Sequence, residues 1–180
     1  KAEDVINLAG GTPLIMKVLE GTQGKGVVLV DSKMSAKSVL DAFNGLEVNI
    51  LIQEFIREAD GEDIRVFVVD GKVVGAMKRK AKDKEFRSNL HQGGTSIPHK
   101  VKRNEKSVAI RSALAMGLGI CGVDIINSAR GPLVLEVNSS PGLEGIEKTT
   151  GFNIAGEIML YIDKHLKIKD RQKRKRIVRT

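Results

Sequence analysis

With 180 residues, 41% of them hydrophobic, and a single cysteine, the chain is large enough for a real core in one or two compact units and cannot build an intrachain disulfide framework. No apolar run is long enough to cross a membrane, and residues 1–11 lack the cationic start, apolar stretch and small-residue cleavage site of a secretory signal. The net charge of +8 is local: residues 167–180 hold eight Lys or Arg against one Asp, so the basic character belongs to the tail and the body is almost neutral.

Residues 4–8 read as the end of a helix that Gly10, Gly11 and Pro13 stop. Two short runs rich in branched residues follow, PLIMKV and VVLV, joined by GTQGKG, which predicts a hairpin. Val39, Leu40 and Phe43 then recur at helical spacing over residues 35–43, with Ser35 a candidate N-cap and Asn44-Gly45 the close. A strand is expected over residues 49–56. After the turn EADGED, the runs IRVFVVD and KVVGAMKRK meet at Asp70-Gly71, the strongest short-range hairpin signal in the chain. Residues 81–98 read as a polar, glycine-containing loop. Residues 106–118 read as a helix carrying Val108, Leu114 and Met116, ended by Gly119. CGVDII and PLVLEVN pair through NSARG, and a last helix from about residue 153 to 166 carries Ile154, Ile158 and Ile162 on one stripe. Strands joined by hairpins with helices laid against them indicate α+β architecture with largely antiparallel sheets.

Three groups of residues point to chemistry. Glu136 and Asn138 lie two apart and so project from one face of a strand; Asp124 joins them if the two last strands pair. Two carboxylates and an amide oxygen are hard ligands that suit Mg²⁺. Polar residues that simply face solvent across the strand alternation account for the same spacing. SSPGLEG, just beyond, makes a tight exit able to bring backbone close to a ligand. The second group is Lys17 with the glycine loop 21–26, whose N–H groups can approach an anion; the loop lacks the GK[ST] ending of a Walker motif and equally fits a plain hairpin turn. In the third, Arg79, Arg87 and Asn89 could stabilise a transferring phosphoryl group, whereas Lys78, Lys80, Lys82 and Lys84 read as a solvated basic edge. His91 has no visible carboxylate partner, and Cys121, inside ICGVDII, reads as a small buried residue.

Taken in order, PLIMKVLEGTQGKGV, ILIQEFIREADGEDIRVFVVDGKVV, FRSNLHQGG, GVDII and GPLVLEVNSSPGLEGIEKTTG resemble the ATP-grasp fold, and within it the RimK-type glutamate ligases. The resemblance implies a division into a lead-in helix (1–12), a nucleotide-binding part (13–82), a catalytic metal-binding part (83–166) and the basic tail (167–180). It implies ATP and Mg²⁺, or Mn²⁺, as cofactors. Lys17 would contact the phosphates, the strand end at Gln53, Glu54 and Phe55 would hold the adenine, and Asp63 would bond the ribose. Arg87, Ser88 and Asn89 would approach the nucleotide, Asp124, Glu136 and Asn138 would hold the metal, and Arg79 and Arg87 would serve catalysis. Two departures concern the acceptor side: family members often carry arginine where Gln92 stands and an acidic residue where Lys78 stands. The family also carries an N-terminal domain ahead of the segment seen here, so part of the ATP cleft is expected outside it.

The activity implied is ATP-dependent joining of glutamate to a protein acceptor, a ribosomal protein C-terminus, through an acyl phosphate, in the cytoplasm and without a membrane. A homo-oligomer is expected for the full-length enzyme. Two alternatives stay open: an ATP-grasp ligase acting on a small metabolite, cofactor or carrier protein, or an RNA-associated nucleotide-binding module that uses the basic tail. The tail's cations lack interleaved aromatics, and a solvated, mobile extension explains them as well.

Overall fold

A computed structural model describes residues 2–20, 26–82, 85–88 and 93–177, which fall into two compact units, Lys1–Asp60 and Gly61–Thr180. The architecture is α+β with antiparallel pairing in both sheets, as expected.

The first unit runs α1 (Ala2–Leu8), β1 (Leu14–Val18), β2 (Val27–Val30), α2 (Lys33–Gly45), β3 (Ile50–Glu54) and a single 3-10 turn (Arg57–Ala59). Its sheet has the order β2-β1-β3. Alternation along β1 sends Leu14 and Met16 to the helices, where they bury with Ile6, Val30 and Ala36. Ile15 and Lys17 lie on the opposite face, and the register sets Gln53 beside Ile15 and Leu51 beside Lys17. Gly10 and Gly11 end α1 with φ of 96° and 82°, conformations open to glycine. The cap of α2 is Ser32 and not Ser35. Ser32 Oγ accepts the Ser35 N–H at 3.1 Å and the Ser32 N–H donates back to Ser35 Oγ at 3.2 Å, a reciprocal box that starts the helix earlier than its apolar spacing indicates.

The second unit contains β4 (Glu62–Val69), β5 (Lys72–Lys80), β6 (Thr95–Pro98), α3 (Arg103–Ala115), β7 (Ile120–Ser128), β8 (Gly131–Asn138), α4 (Glu144–Thr150) and α5 (Ile154–Ile177). The strands order as β6-β5-β4-β7-β8. Asp70 and Gly71, with φ of 52° and 69°, form the tight β4–β5 turn expected of that pair. One face of the sheet holds an apolar core: Ile64, Val66, Val68, Ala76, Cys121, Val123 and Ile125 pack on Ala109 and Ala113 of α3, with Glu62, Lys78 and Lys80 at its edge. The other face is divided. Phe67 and Met77 are covered by Ile146 of α4 and Ile154 of α5, while Asp63, Arg65, Arg79 and Asp124 make the neighbouring part polar.

Four further expectations are corrected. Part of the expected loop 81–98 is strand β6, which extends the sheet beside β5. The glycine-rich exit continues into helix α4, held by the fully buried Ile146. Helix α3 begins at Arg103, where the Lys102 N–H donates to Glu105 Oε2 at 2.7 Å, and ends before Gly117, whose φ is 65°. The last helix, expected to end near residue 166, continues as α5 to Ile177.

Candidate active site

The polar part of the divided face is a direct product of strand alternation. Asp63 and Arg65 are two apart on β4 and therefore share a face; β5 sets Arg79 opposite Asp63, and β7 sets Asp124 opposite Arg65. The next strand continues the row, with Glu136 opposite Asp124 and Asn138 opposite Gly122. A register shift directly after Asp124 marks a bulge beside these residues.

Charge is arranged as a chain. Arg79 donates Nε–H to Asp63 Oδ1 at 2.7 Å and Nη2–H to Asp63 Oδ2 at 2.6 Å, and shares Nη2 with Asp124 Oδ2 at 2.8 Å. Arg65 grips the same Asp124 as a fork, Nε to Oδ1 at 2.7 Å and Nη2 to Oδ2 at 2.6 Å. Asp63, Arg79 and Asp124 are buried, at 5%, 7% and 2% exposure. At the rim, Glu136 Oε1 lies 3.9 Å from Arg65 Nη2.

Two carboxylates and two guanidiniums in low dielectric do not share protons equally. Burial pushes the Asp63 carboxyl up, in spite of its bonds from Arg79 and Ser88. Burial acts on Asp124 in the same direction, but the Arg65 hydrogen bonds and the charges of Arg79 and Arg65 outweigh it and hold that carboxyl below the ordinary range. Arg79 is opposed by burial, yet the carboxylates of Asp124 and Asp63 keep it firmly charged.

The flanking segment joins through Ser88, whose Oγ donates to Asp63 Oδ2. Arg87 pairs with Glu85, Nη2 to Oε2 at 2.8 Å, and its guanidinium carbon stands 5.4 Å from the centre of the Phe86 ring. Asn89, His91, Gln92 and the glycine loop 21–25 lie outside the described residues. Lys17, Gln53 and Glu54 sit on β1 and β3 of the first unit, with Phe55 just after β3. Lys17 and Gln53 are on the sheet face away from the helices, and Glu54, opposite Leu14, is on the helix side. Lys78 and Lys80 both reach Glu62, at 2.9 and 3.2 Å, so the basic edge carries its own counter-charge.

Of the expected metal ligands, Asp124 and Glu136 face each other across β7 and β8, and Asn138 Oδ1 accepts the Ser140 N–H at 2.9 Å. Among the described residues no three His, Cys, Asp or Glu side chains gather as a metal cluster; the set is two carboxylates and one amide. That donor chemistry, all hard oxygen and open to solvent at the half-exposed Glu136, fits a magnesium ion that takes few protein ligands. Arg65 was missed from sequence. The signal was there in Asp-Ile-Arg on a strand, but its partner, 59 residues away, becomes visible once β4 is known to pair with β7.

A probable alpha-L-glutamate ligase of Maridesulfovibrio salexigens is 58% identical to this chain over 163 residues, 91% of the chain and 54% of that protein. The chain therefore spans about half the length of the curated relatives it matches. Among solved structures, D-alanine–D-alanine ligase from Bacillus anthracis superposes with a TM-score of 0.71 at 18% identity, over 96% of this chain and 60% of that one. The ATP-grasp ligase PsnB, complexed with a phosphomimetic variant of its minimal precursor, Mg and ADP, gives 0.64 at 24% identity over 88% and 48%. Both likenesses concern the fold. With residues 1–162 matching the family described as the RimK-like ATP-grasp domain, the chain belongs to that family.

Proposed function

We propose that this chain is the ATP-binding and catalytic part of a carboxylate–amine ligase that adds glutamate to a protein acceptor in the cytoplasm, with a ribosomal protein C-terminus as the acceptor. The observation that carries the reading is the buried Asp63–Arg79–Asp124–Arg65 chain ending at Glu136 on an otherwise well-packed sheet. Family membership and the naming of relatives as alpha-L-glutamate ligases support the activity. The Mg and ADP in the PsnB complex support the cofactors.

In this reaction the acceptor carboxylate attacks the terminal phosphoryl group of ATP, forming an acyl phosphate and releasing ADP. The amino group of glutamate then attacks the acyl carbon, loses a proton, and expels phosphate to leave an amide. No protein nucleophile is required, so the protein's part is positional and electrostatic. Asp124, Glu136 and Asn138 would hold Mg²⁺, which, when bound, offsets phosphate charge. Arg79, fixed by two carboxylates, presents a permanent positive charge at a set position, the kind of preorganised group that stabilises developing negative charge without rearranging. Lys17 would bind phosphate oxygens, the Gln53–Glu54–Phe55 strand end the adenine and Asp63 the ribose, while Arg87, Ser88 and Asn89 would approach the nucleotide. Residues 13–82 would form the nucleotide-binding part and 83–166, with the metal ligands, the catalytic part, Arg79 reaching the chemistry from the first and Arg87, Ser88 and Asn89 the nucleotide from the second.

The test uses the full-length enzyme with ATP, Mg²⁺, isotope-labelled glutamate and cell extract. Mass spectrometry should find labelled glutamate at a protein C-terminus, and ADP should form in step with it. Glu136→Gln should lower that rate about a hundredfold or more with an unchanged circular dichroism spectrum. Label found on small metabolites in place of protein would overturn the acceptor assignment, and equal rates for the variant would remove Glu136 from the mechanism.

A further inference from the structure

Asp124 is the most deeply buried of the expected metal ligands, and both its oxygens are already engaged. Arg65 takes Oδ1 and Oδ2 with a two-pronged grip at 2.7 and 2.6 Å, and Arg79 adds a third bond to Oδ2. A carboxylate in low dielectric needs this much positive charge close by, because left ionised and unpaired it would be costly to bury.

The two arginines hold Asp124 differently. Arg79 is pinned from both sides, by Asp63 as well as Asp124, and its side chain is 8% exposed. Arg65 makes its hydrogen bonds to Asp124 and stands on the solvent side, with its side chain 16% exposed and its Nη2 between Asp124 and the half-exposed Glu136. Its stem passes over Gly122: a Cβ there would lie 3.9 Å from Arg65 Cδ and 2.9 Å from the Pro141 ring. Arg65 is therefore a cation seated between the two carboxylates that a divalent ion would share, with one side open to water. Arg79 has no such way out.

We propose that Arg65 is the exchangeable counter-cation of this site: it neutralises Asp124 before the divalent ion arrives and gives up that carboxylate when the ion binds. The inference rests on the metal reading above and adds a competitor to it. Entry of the ion and release of the guanidinium are then one event, and the ion's affinity is set by the difference between two cations for the same oxygens. The released guanidinium, planar and always charged, becomes a free two-pronged donor at the rim just as anionic ligands are brought there. Lysine at this position would keep the charge but could not span both oxygens.

The experiment follows the arginine side chains of the full chain by ¹⁵N NMR, with Arg65→Lys used to assign the Arg65 Nε–H signal, while Mg²⁺ is added in the presence of ADP. The Arg65 signal should shift and exchange faster with water as the ion binds, and the Arg79 signal should stay protected. Calorimetry should show Mg²⁺ affinity rising about tenfold or more in Arg65→Met, the equivalent of losing one competing charge-assisted hydrogen bond, and falling in Glu136→Gln. If the ion binds in a Glu136-dependent way while Arg65 stays protected and Arg65→Met leaves affinity unchanged or lower, the inference is overturned and the metal reading stands. If binding ignores Glu136→Gln, both fall. Should Arg65→Met fail to fold by circular dichroism, the NMR titration of the unaltered chain decides alone.

Discussion

Arg79→Met deletes three hydrogen bonds to two carboxylates that are 5% and 2% exposed, and leaves Asp63 and Asp124 facing each other without the cation between them. Each such bond is worth about 1.5–3 kcal/mol on its own, but the sum overstates the loss, because burying the guanidinium was itself unfavourable and Asp124 keeps Arg65. Breaking a buried ion pair from one side costs about 3–5 kcal/mol, a large share of the roughly 5–15 kcal/mol that holds a domain together. Urea unfolding should show that loss near neutral pH. The sign of its pH dependence follows from the carboxyls. With Arg79 gone, both rise in the folded variant, which then takes up protons ahead of the unfolded chain. The deficit against the unaltered protein should shrink as pH falls from about 7 towards about 5. Asp63→Asn combined with Arg79→Met should cost less than the two changes added separately, since the second no longer strands a charge. A loss below about 1 kcal/mol, or one that neither varies with pH nor couples to Asp63, would refute the account of this network.

Ser32→Ala removes the acceptor for the Ser35 N–H and should cost about 1 kcal/mol, seen as a lower denaturation midpoint with an unchanged slope. Gly122→Ala would put a methyl group 2.9 Å from the Pro141 Cβ, so the ring must move; a loss of about 1–3 kcal/mol and a lower Tm are expected. The Arg87 hydrogen bonds, helped by the Phe86 and Arg87 backbone N–H groups and opposed by burial, hold the Glu85 carboxyl down at about 2. The stabilisation from this depressed carboxyl is present above its unfolded value of about 4.3 and lost as pH falls towards that lower midpoint. NMR of the Glu85 carboxyl should show this, and a midpoint at the unfolded value would rule the contact out.

The strands carrying the site were legible because alternation and turn chemistry act locally: Asp70-Gly71 specifies its hairpin whatever surrounds it. What was missed depends on distant partners. β6 is short, exposed and ends in Pro98, and becomes a strand by pairing with β5. Helix α4 contains Gly145 and two adjacent threonines, a weak sequence for a helix; burial of Ile146 beneath Phe67 and Met77, and the bond from the Ala155 N–H to Glu147, supply what propensity lacks. Glu105, fully buried and bonded by His99 and the Lys102 N–H, precedes the residues whose apolar spacing indicates a helix, and nothing local marks it as buried. The spacing of two alone puts the candidate oxygen ligands Glu136 and Asn138 on one face, whereas Arg65 finds its partner only through the β4–β7 pairing.

The same alternation that packs this sheet also sets its charge. Residues at odd positions of β4 run from Asp63 and Arg65 in the site to Phe67 under α4 and α5, while Ile64, Val66 and Val68 at even positions lie in the apolar core on α3. The strands that carry the charged side chains are thus held by packing, which keeps the buried Asp63, Arg79 and Asp124 in place and leaves movement to the more exposed Arg65. With all three carboxyls ionised, Asp63, Asp124 and Glu136 stand against Arg65 and Arg79 with a formal excess of one negative charge. On the proposed reading a divalent ion alone would turn that excess positive, and nucleotide phosphates alone would deepen the negative excess. Together they offset each other, so each should raise the other's affinity by the same factor. On that reading the ion relieves the repulsion the excess would exert on phosphates, which favours filling by the metal–nucleotide pair and would leave the fixed charge of Arg79 to act on the phosphoryl group.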